Sequence, residues 1–149
     1  MLNTISMKIK IKRFDTSLPL PEYKTKGAAG FDLYARKKVV IKAGQVGYVP
    51  LNIAIDIPIT HWAMVSARSS LHKEGLILAN GIGVGDSDFC GDSDEYTAAL
   101  FNFSSKDVLI EKGQRIAQMI ILPYEKVEIE SVEKLDNKDR GGFGTTGKK

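Results

Sequence analysis

The sequence predicts an all-β fold, a sandwich or barrel of short strands, from three observations. Apolar residues alternate with polar ones at period two through much of the chain, glycine-containing turns separate the runs, and only one short stretch has a helical pattern. At 149 residues the chain suits one domain large enough to bury a core without staples.

In chain order, Ile9, Ile11 and Phe14 mark the first half-buried strand, and residues 39–41 the next. Val49, Leu51, Ile53, Ile55 and Ile57 alternate unbroken and predict one long strand. Residues 62–66, 76–78, 96–103, 116–122 and 127–132 complete the set. Lys42-Ala43-Gly44-Gln45 and Glu111-Lys112-Gly113-Gln114 put glycine where a reversal wants a positive φ, and Ser104-Ser105-Lys106-Asp107 is a polar connection. Residues 69–74 form one or two helical turns, with Ser69 or Ser70 as N-cap and Gly75 as the stop.

The net charge of +3 is small and the lysines are scattered, which argues against a nucleic-acid surface. A single cysteine, Cys90, excludes an intramolecular disulfide and suits a reducing compartment, so a cytoplasmic location is expected. The N-terminal stretch lacks the apolar core of a signal peptide and no run reaches the length of a membrane span, so neither export nor a membrane partner is expected. Met7 opens the first pattern, and residues 1–6 read as an upstream start or a flexible leader. A barrel is assigned to residues 1–136. Residues 137–149 have too few apolar groups to pack alone and are expected to be a mobile arm.

Five segments carry more glycine, charge and hydroxyl than strand connections need. In Ala28-Ala29-Gly30-Phe31-Asp32-Leu33-Tyr34-Ala35, small residues permit close backbone approach and Asp32 sits among apolar neighbours, where it either caps a turn or serves a site. Ser66-Ala67-Arg68-Ser69-Ser70-Leu71-His72 offers an arginine and hydroxyls at a helix start, a pattern that suits an anion or an ordinary capped helix; His72 reads as a surface residue. Ala79-Asn80-Gly81-Ile82-Gly83-Val84-Gly85-Asp86-Ser87-Asp88-Phe89-Cys90-Gly91-Asp92 begins like a calcium loop, but Thr97 stands where the last acidic ligand is needed. What survives is a glycine-rich hairpin whose backbone could bond a flat ligand, with Asp86 beside it as a general base. The fourth segment, Gly113-Gln114-Arg115-Ile116-Ala117-Gln118, carries a polar amide into an apolar run. The fifth, Arg140-Gly141-Gly142-Phe143-Gly144-Thr145-Thr146-Gly147, offers N–H and hydroxyl donors to an anion and a ring that could stack on a base.

Together and in this order, these segments resemble the motifs of the trimeric deoxyuridine triphosphatase (dUTPase) family, from Ala28 to Gly147. The resemblance implies a jelly-roll-like β-barrel, a homotrimer with active sites shared between subunits, and hydrolysis of dUTP to dUMP and pyrophosphate. Asp86 resembles the family's water-activating aspartate. Asn80, Gly83 and Val84 would line the uracil hairpin, and Phe89 stands where a tyrosine usually lies under the deoxyribose. Arg68, Ser69, Ser70 and Gln118 match phosphate-contacting positions, and Asp32 a supporting aspartate. Arg140, Phe143, Gly144 and Thr145 would belong to an arm closing over the nucleotide, with Lys138 or Arg140 as its phosphate cation. Magnesium is implied as cofactor, held by substrate phosphates and waters rather than by a protein cage.

Three departures stand out: Gly85 replaces a bulky apolar residue before Asp86, residues 92–95 lengthen the segment after Gly91, and the arm is short. A dCTP deaminase shares the barrel and an arginine–serine motif, but Asp86-Ser87-Asp88-Phe89 and the Gly-Gly-Phe-Gly tail resemble the hydrolase. A catalytically idle nucleotide-binding protein is the other rival, and retention of Asp86, Arg68, Ser69 and Gln118 argues against it.

Overall fold

The computed structural model describes residues 7–145 and 147; the leader over residues 1–6, Thr146 and the last two lysines lie outside the described residues. The strands are β1 (Lys10–Arg13), β2 (Phe31–Tyr34), β3 (Val39–Ile41), β4 (Val46–Pro50), β5 (Ile53–Asp56), β6 (His61–Ala67), β7 (Leu76–Leu78), β8 (Gly83–Gly85), β9 (Thr97–Asn102), β10 (Val108–Ile110) and β11 (Arg115–Pro123). All pairings are antiparallel: β1 with β5, β3 with β10, a four-stranded sheet in the order β2-β11-β6-β8 and a three-stranded sheet β4-β9-β7. Together they wrap one apolar core, the jelly-roll-like barrel expected. Leu33, Leu51, Leu76, Leu100, Ile110, Ile116 and Met119 are sealed from solvent within it.

The long strand expected from Val49 to Ile57 is broken. All five alternating residues are buried, but β4 ends at Pro50 and β5 starts at Ile53, where the chain leaves the β9 sheet to pair with β1. Between them Asn52 takes a left-handed conformation, φ 69°, although only 2% exposed. Its amide makes that corner possible. Oδ1 accepts from Asp15 N at 2.7 Å, Nδ2 donates to Asp15 O at 3.1 Å, and the Asn52 N–H donates to Glu95 Oε1 at 3.0 Å. Tyr96 then bridges the corner, donating to Ile53 O at 2.9 Å and accepting from Leu51 N at 2.8 Å.

The other differences also have local reasons. Residues 127–132 alternate but form no strand among the described residues, because no neighbour pairs with them; Val127, Ile129 and Val132 are exposed. Strands β2, β8 and β10 are not in the expected set. Each is only three or four residues long, and pairing with β11, β6 and β3 defines them rather than their own periodicity. The helix shrinks to a single 3-10 turn, Leu71–Glu74, ended by Gly75 at φ 79°. Ser70 occupies its cap position without a side-chain cap bond. The expected turn glycines Gly44 and Gly113 do adopt positive φ, 70° and 83°.

Replacing Asn52 by alanine should lower the unfolding free energy by about 2–4 kcal/mol, combining two lost hydrogen bonds with left-handed strain. Asn52→Gly keeps the conformation and should lose about 1 kcal/mol less. Denaturant-induced unfolding of both variants distinguishes the contributions; equal losses would show that the positive φ is not a cost.

Candidate active site

Asp32, Gln118 and Ser66 lie side by side across β2, β11 and β6. Gly30 permits this close start to β2, because a Cβ there would come within 3.1 Å of Ile120 and of the Met119 carbonyl. Two guanidinium groups converge on the Asp32 carboxylate: Arg68 Nε donates to Oδ1 at 3.1 Å and Arg115 Nη1 to Oδ2 at 3.0 Å. The carboxylate is only 15% exposed, so these pairs are shielded more than ordinary surface ones. Asp32 is therefore neither a turn cap nor an unpaired charge. Two cations on one anion leave a net positive cluster with its arginines already oriented.

Arg115 reaches Asp32 because β11 carries a bulge. Arg115 pairs with Tyr34 and Ala117 with Leu33, so Ile116 is an extra residue that turns Arg115 onto the face of Gln118. The consecutive burial of Ile116 and Ala117 is the trace of that bulge. Gln118 Nε2 donates to Ala67 O at 2.9 Å and ties β11 to the end of β6. Beyond it, Ser69 and Ser70 have no protein partner for their hydroxyls among the described residues. With only a four-residue 3-10 turn behind them, the anion-favouring groups are arginines and hydroxyls rather than a helix dipole. His72 is exposed, as expected.

The glycine-rich hairpin is splayed. Its arms belong to different sheets, β7 pairing with β9 and β8 with β6, and the turn at Asn80 and Gly81 joins them. A cavity of about 390 Å³ opens beside this turn, lined by Asn80, Gly83, Val84, Asp86, Phe89 and Tyr96 among others. As β8 is the edge of its sheet, its outer main-chain donors and acceptors have no ladder partner. Asp86 also borders a second cavity, of about 600 Å³, with Trp62, Val84, Asp88, Tyr124 and Lys126.

The floor of the first cavity is Tyr96, only 6% exposed. Its ring meets Phe89 edge-on with centroids 5.3 Å apart. The end of the ring fills the space where residue 85 would carry a side chain: a Cβ on Gly85 would overlap the Tyr96 hydroxyl and lie 2.8 Å from Cε1 and Cζ. Among the described residues that hydroxyl has no hydrogen-bond partner. Burial, and secondarily the charge of Asp86, pushes the Tyr96 phenol up to about 12.

The dUTPase family model matches residues 16–147. A deoxyuridine 5′-triphosphate nucleotidohydrolase from Desulfitobacterium hafniense (strain DSM 10664 / DCB-2) is 43% identical over 152 residues, covering 98% of this chain and 99% of that one. This chain belongs to the dUTPase family. The nucleotidohydrolase of the same name from Hydrogenobaculum sp. (strain Y04AAS1) is 42% identical over 147 residues, covering 96% of this chain and 100% of that one. Among solved structures, the Streptococcus mutans dUTPase superposes with a TM-score of 0.73 at 27% identity, covering 79% of this chain and 98% of that one. A Staphylococcus bacteriophage 80alpha dUTPase with dUpNHpp gives 0.82 at 20% identity over 94% of this chain and 98% of that one, a likeness of fold.

Within this dUTPase-family chain the expected site residues fall into groups that do not meet. Asp32, Arg68 and Gln118 come together, next to Ser69 and Ser70; Asn80, Gly83, Val84, Asp86 and Phe89 share the cavity. Gly85 pairs with Ala63, which sets Asp86 abreast of Trp62, whereas Arg68 lies beyond the far end of β6. Six residue steps of extended chain lead from Trp62 to Arg68, roughly 20 Å at about 3.3 Å each. The arm meets neither group: Arg140, Gly144 and Thr145 are exposed and Phe143 is fully so. Among the described residues no helix is long and apolar enough to cross a membrane.

Two residues at these groups escape a sequence reading. Arg115 sits inside the fourth segment but faces Asp32 only through the bulge, and two adjacent apolar residues in an alternating run are the signal for it. Tyr96 reads as the opening of a strand; its bulk beside a glycine-only position is the corresponding signal. Residues 91–95 position it. Gly91 N donates to Asp94 Oδ2 at 2.7 Å, and Glu95 accepts from Arg36 Nε at 2.7 Å and Nη2 at 2.9 Å.

Gly85→Ala should destabilise the protein by about 1–3 kcal/mol through overpacking against the Tyr96 ring. Adding Tyr96→Leu should recover part of that loss. Unfolding free energies of the two single variants and the double one form a cycle, and strict additivity would show that the residues do not compete for one space.

Proposed function

We propose that this chain hydrolyses dUTP to dUMP and pyrophosphate at sites assembled between copies in a homotrimer. One observation carries the shared-site reading: the register of β8 on β6 holds Asp86 roughly 20 Å from Arg68 along the strand, too far for one nucleotide's α-phosphorus to use both within a chain. A neighbouring copy that brings its arginine–serine cluster to this copy's cavity completes the set.

In that arrangement uracil enters the splayed hairpin, where Asn80 and the main chain of Gly83 and Val84 read its edge. Phe89 lies under the deoxyribose, its ring held by Tyr96. Asp86 takes a proton from water as the water oxygen attacks the α-phosphorus. The bond from that phosphorus to the bridging oxygen breaks, and its electron pair leaves with pyrophosphate. Arg68, Ser69, Ser70 and Gln118 stabilise charge on the phosphates, with Asp32 holding Arg68 and Arg115 in place. The arm of residues 137–149 closes over the nucleotide, with Arg140 gripping phosphate through two donors and Phe143 stacking on the base.

The acids present do not form a magnesium cage. Asp32 already accepts from two arginines, and no three His, Cys, Asp or Glu side chains cluster as ligands among the described residues. Magnesium, when bound, would neutralise charge on the leaving pyrophosphate, and the family resemblance implies that it would be held mainly by the substrate's phosphates and by waters. In the cell, this cytoplasmic activity keeps uracil out of DNA and supplies dUMP for thymidylate synthesis.

Pyrophosphate release measured across the deoxynucleoside and ribonucleoside triphosphates should show strong preference for dUTP; ammonia from dCTP, or no hydrolysis of dUTP, contradicts the reading. Asp86→Asn should slow turnover by roughly two to four orders of magnitude while nucleotide binding and fold persist.

Truncation after Asp136 should leave a trimer by light scattering that binds dUTP but turns it over much more slowly. The arm must be ordered at about 1 kcal/mol per residue, so it closes only on the bound nucleotide. Full turnover by the truncated protein excludes the arm from the site.

A further inference from the structure

The Tyr96 hydroxyl is buried beside Gly85 without a partner, and Asp86 is the next residue along the chain. Among the described residues, neither Asp86 carboxylate oxygen accepts a protein hydrogen bond, the Phe89 N–H going to the main-chain oxygen of Asp86 at 3.1 Å. An unmatched donor and an unmatched acceptor thus border the same cavity. The cavity's other carboxylate is engaged: Glu95 accepts from both Arg36 nitrogens and from Asn52 N. A buried hydroxyl without a partner is unfavourable in the free protein, so it has a use only where an acceptor comes to it.

We propose that Tyr96 is a positioning residue for Asp86, its hydroxyl donating to the carboxylate, directly or through one water, when nucleotide fills the cavity. This rests on the hydrolytic reading given above. Gly85 makes it possible by leaving the side-chain space open to the phenol. The Tyr96 backbone is fixed from the opposite side by Glu95 and by its own main-chain bonds at the Asn52 corner, and the ring packs edge-on against Phe89. With burial and Asp86 both raising its pKa to about 12, the phenol keeps its proton at neutral pH and remains a donor. A hydrogen bond to a charged acceptor in this setting is worth about ten- to a hundredfold in rate when it holds the reacting group in line.

The test is Tyr96→Phe, which keeps the ring against Phe89 and removes one oxygen, made in both the wild-type and the Asp86→Asn backgrounds. Turnover of dUTP by the wild-type chain is measured first; its absence would sink the hydrolytic reading itself. Given an active wild type, Tyr96→Phe should lower kcat about tenfold or more with KM within about twofold. Its thermal midpoint should be at or above that of the wild type, since the lost hydroxyl has no partner in the free protein. In the Asp86→Asn background the same change should leave kcat unaltered, because the group it positions is gone. An unchanged kcat in the wild-type background overturns the proposal. So does an equal fall in both backgrounds, which would mark a structural or independent role.

Discussion

Everything in this barrel turns on one corner. Asn52, buried and left-handed, passes the chain from one sheet to another, and its side chain and main chain are tied to Asp15 and to Glu95. A left-handed residue in a core persists only where surrounding bonds over-determine it, and here four do, the fourth from the Phe14 N–H to the Asn52 carbonyl. The same corner gives Tyr96 its two main-chain partners. The segment of residues 92–95 is therefore no loose appendage: Glu95, braced by Arg36, locks onto the corner just before Tyr96, the floor of the cavity. Fold and site share their fixed point.

The second organising element is electrostatic. Asp32 gathers Arg68 from β6 and Arg115 from β11, and this pairing orders two long cationic side chains before any ligand arrives. Preorientation of this kind reduces the conformational entropy lost on binding an anion. The bulge at Ile116 is its geometric condition, as a regular β11 would turn Arg115 to the opposite face.

Burial was more legible in the sequence than continuity. The alternation of Val49 to Ile57 reports which side chains face inward, which the structure bears out, but a period-two pattern runs unchanged across a sheet corner and cannot reveal the break. Strand 76–78 appears as read. Residues 127–132 fail because a strand needs a partner that the pattern does not specify. In the site, Asp32, Arg68 and Gln118 lie together. Tyr96 and Arg115 stayed hidden for a common reason: each owes its position to a neighbour's geometry, an absent side chain at Gly85 and an extra residue at Ile116.

The fit of Tyr96 into the space at Gly85 also bears on how this sequence can drift. A side chain gained at position 85 alone meets the ring; a ring lost at position 96 alone leaves a hole beneath the edge strand. Exchange to the arrangement with a bulky residue before the aspartate therefore passes through a less stable intermediate from either side. The two positions are therefore coupled in stability, the residue at one setting the cost of a change at the other.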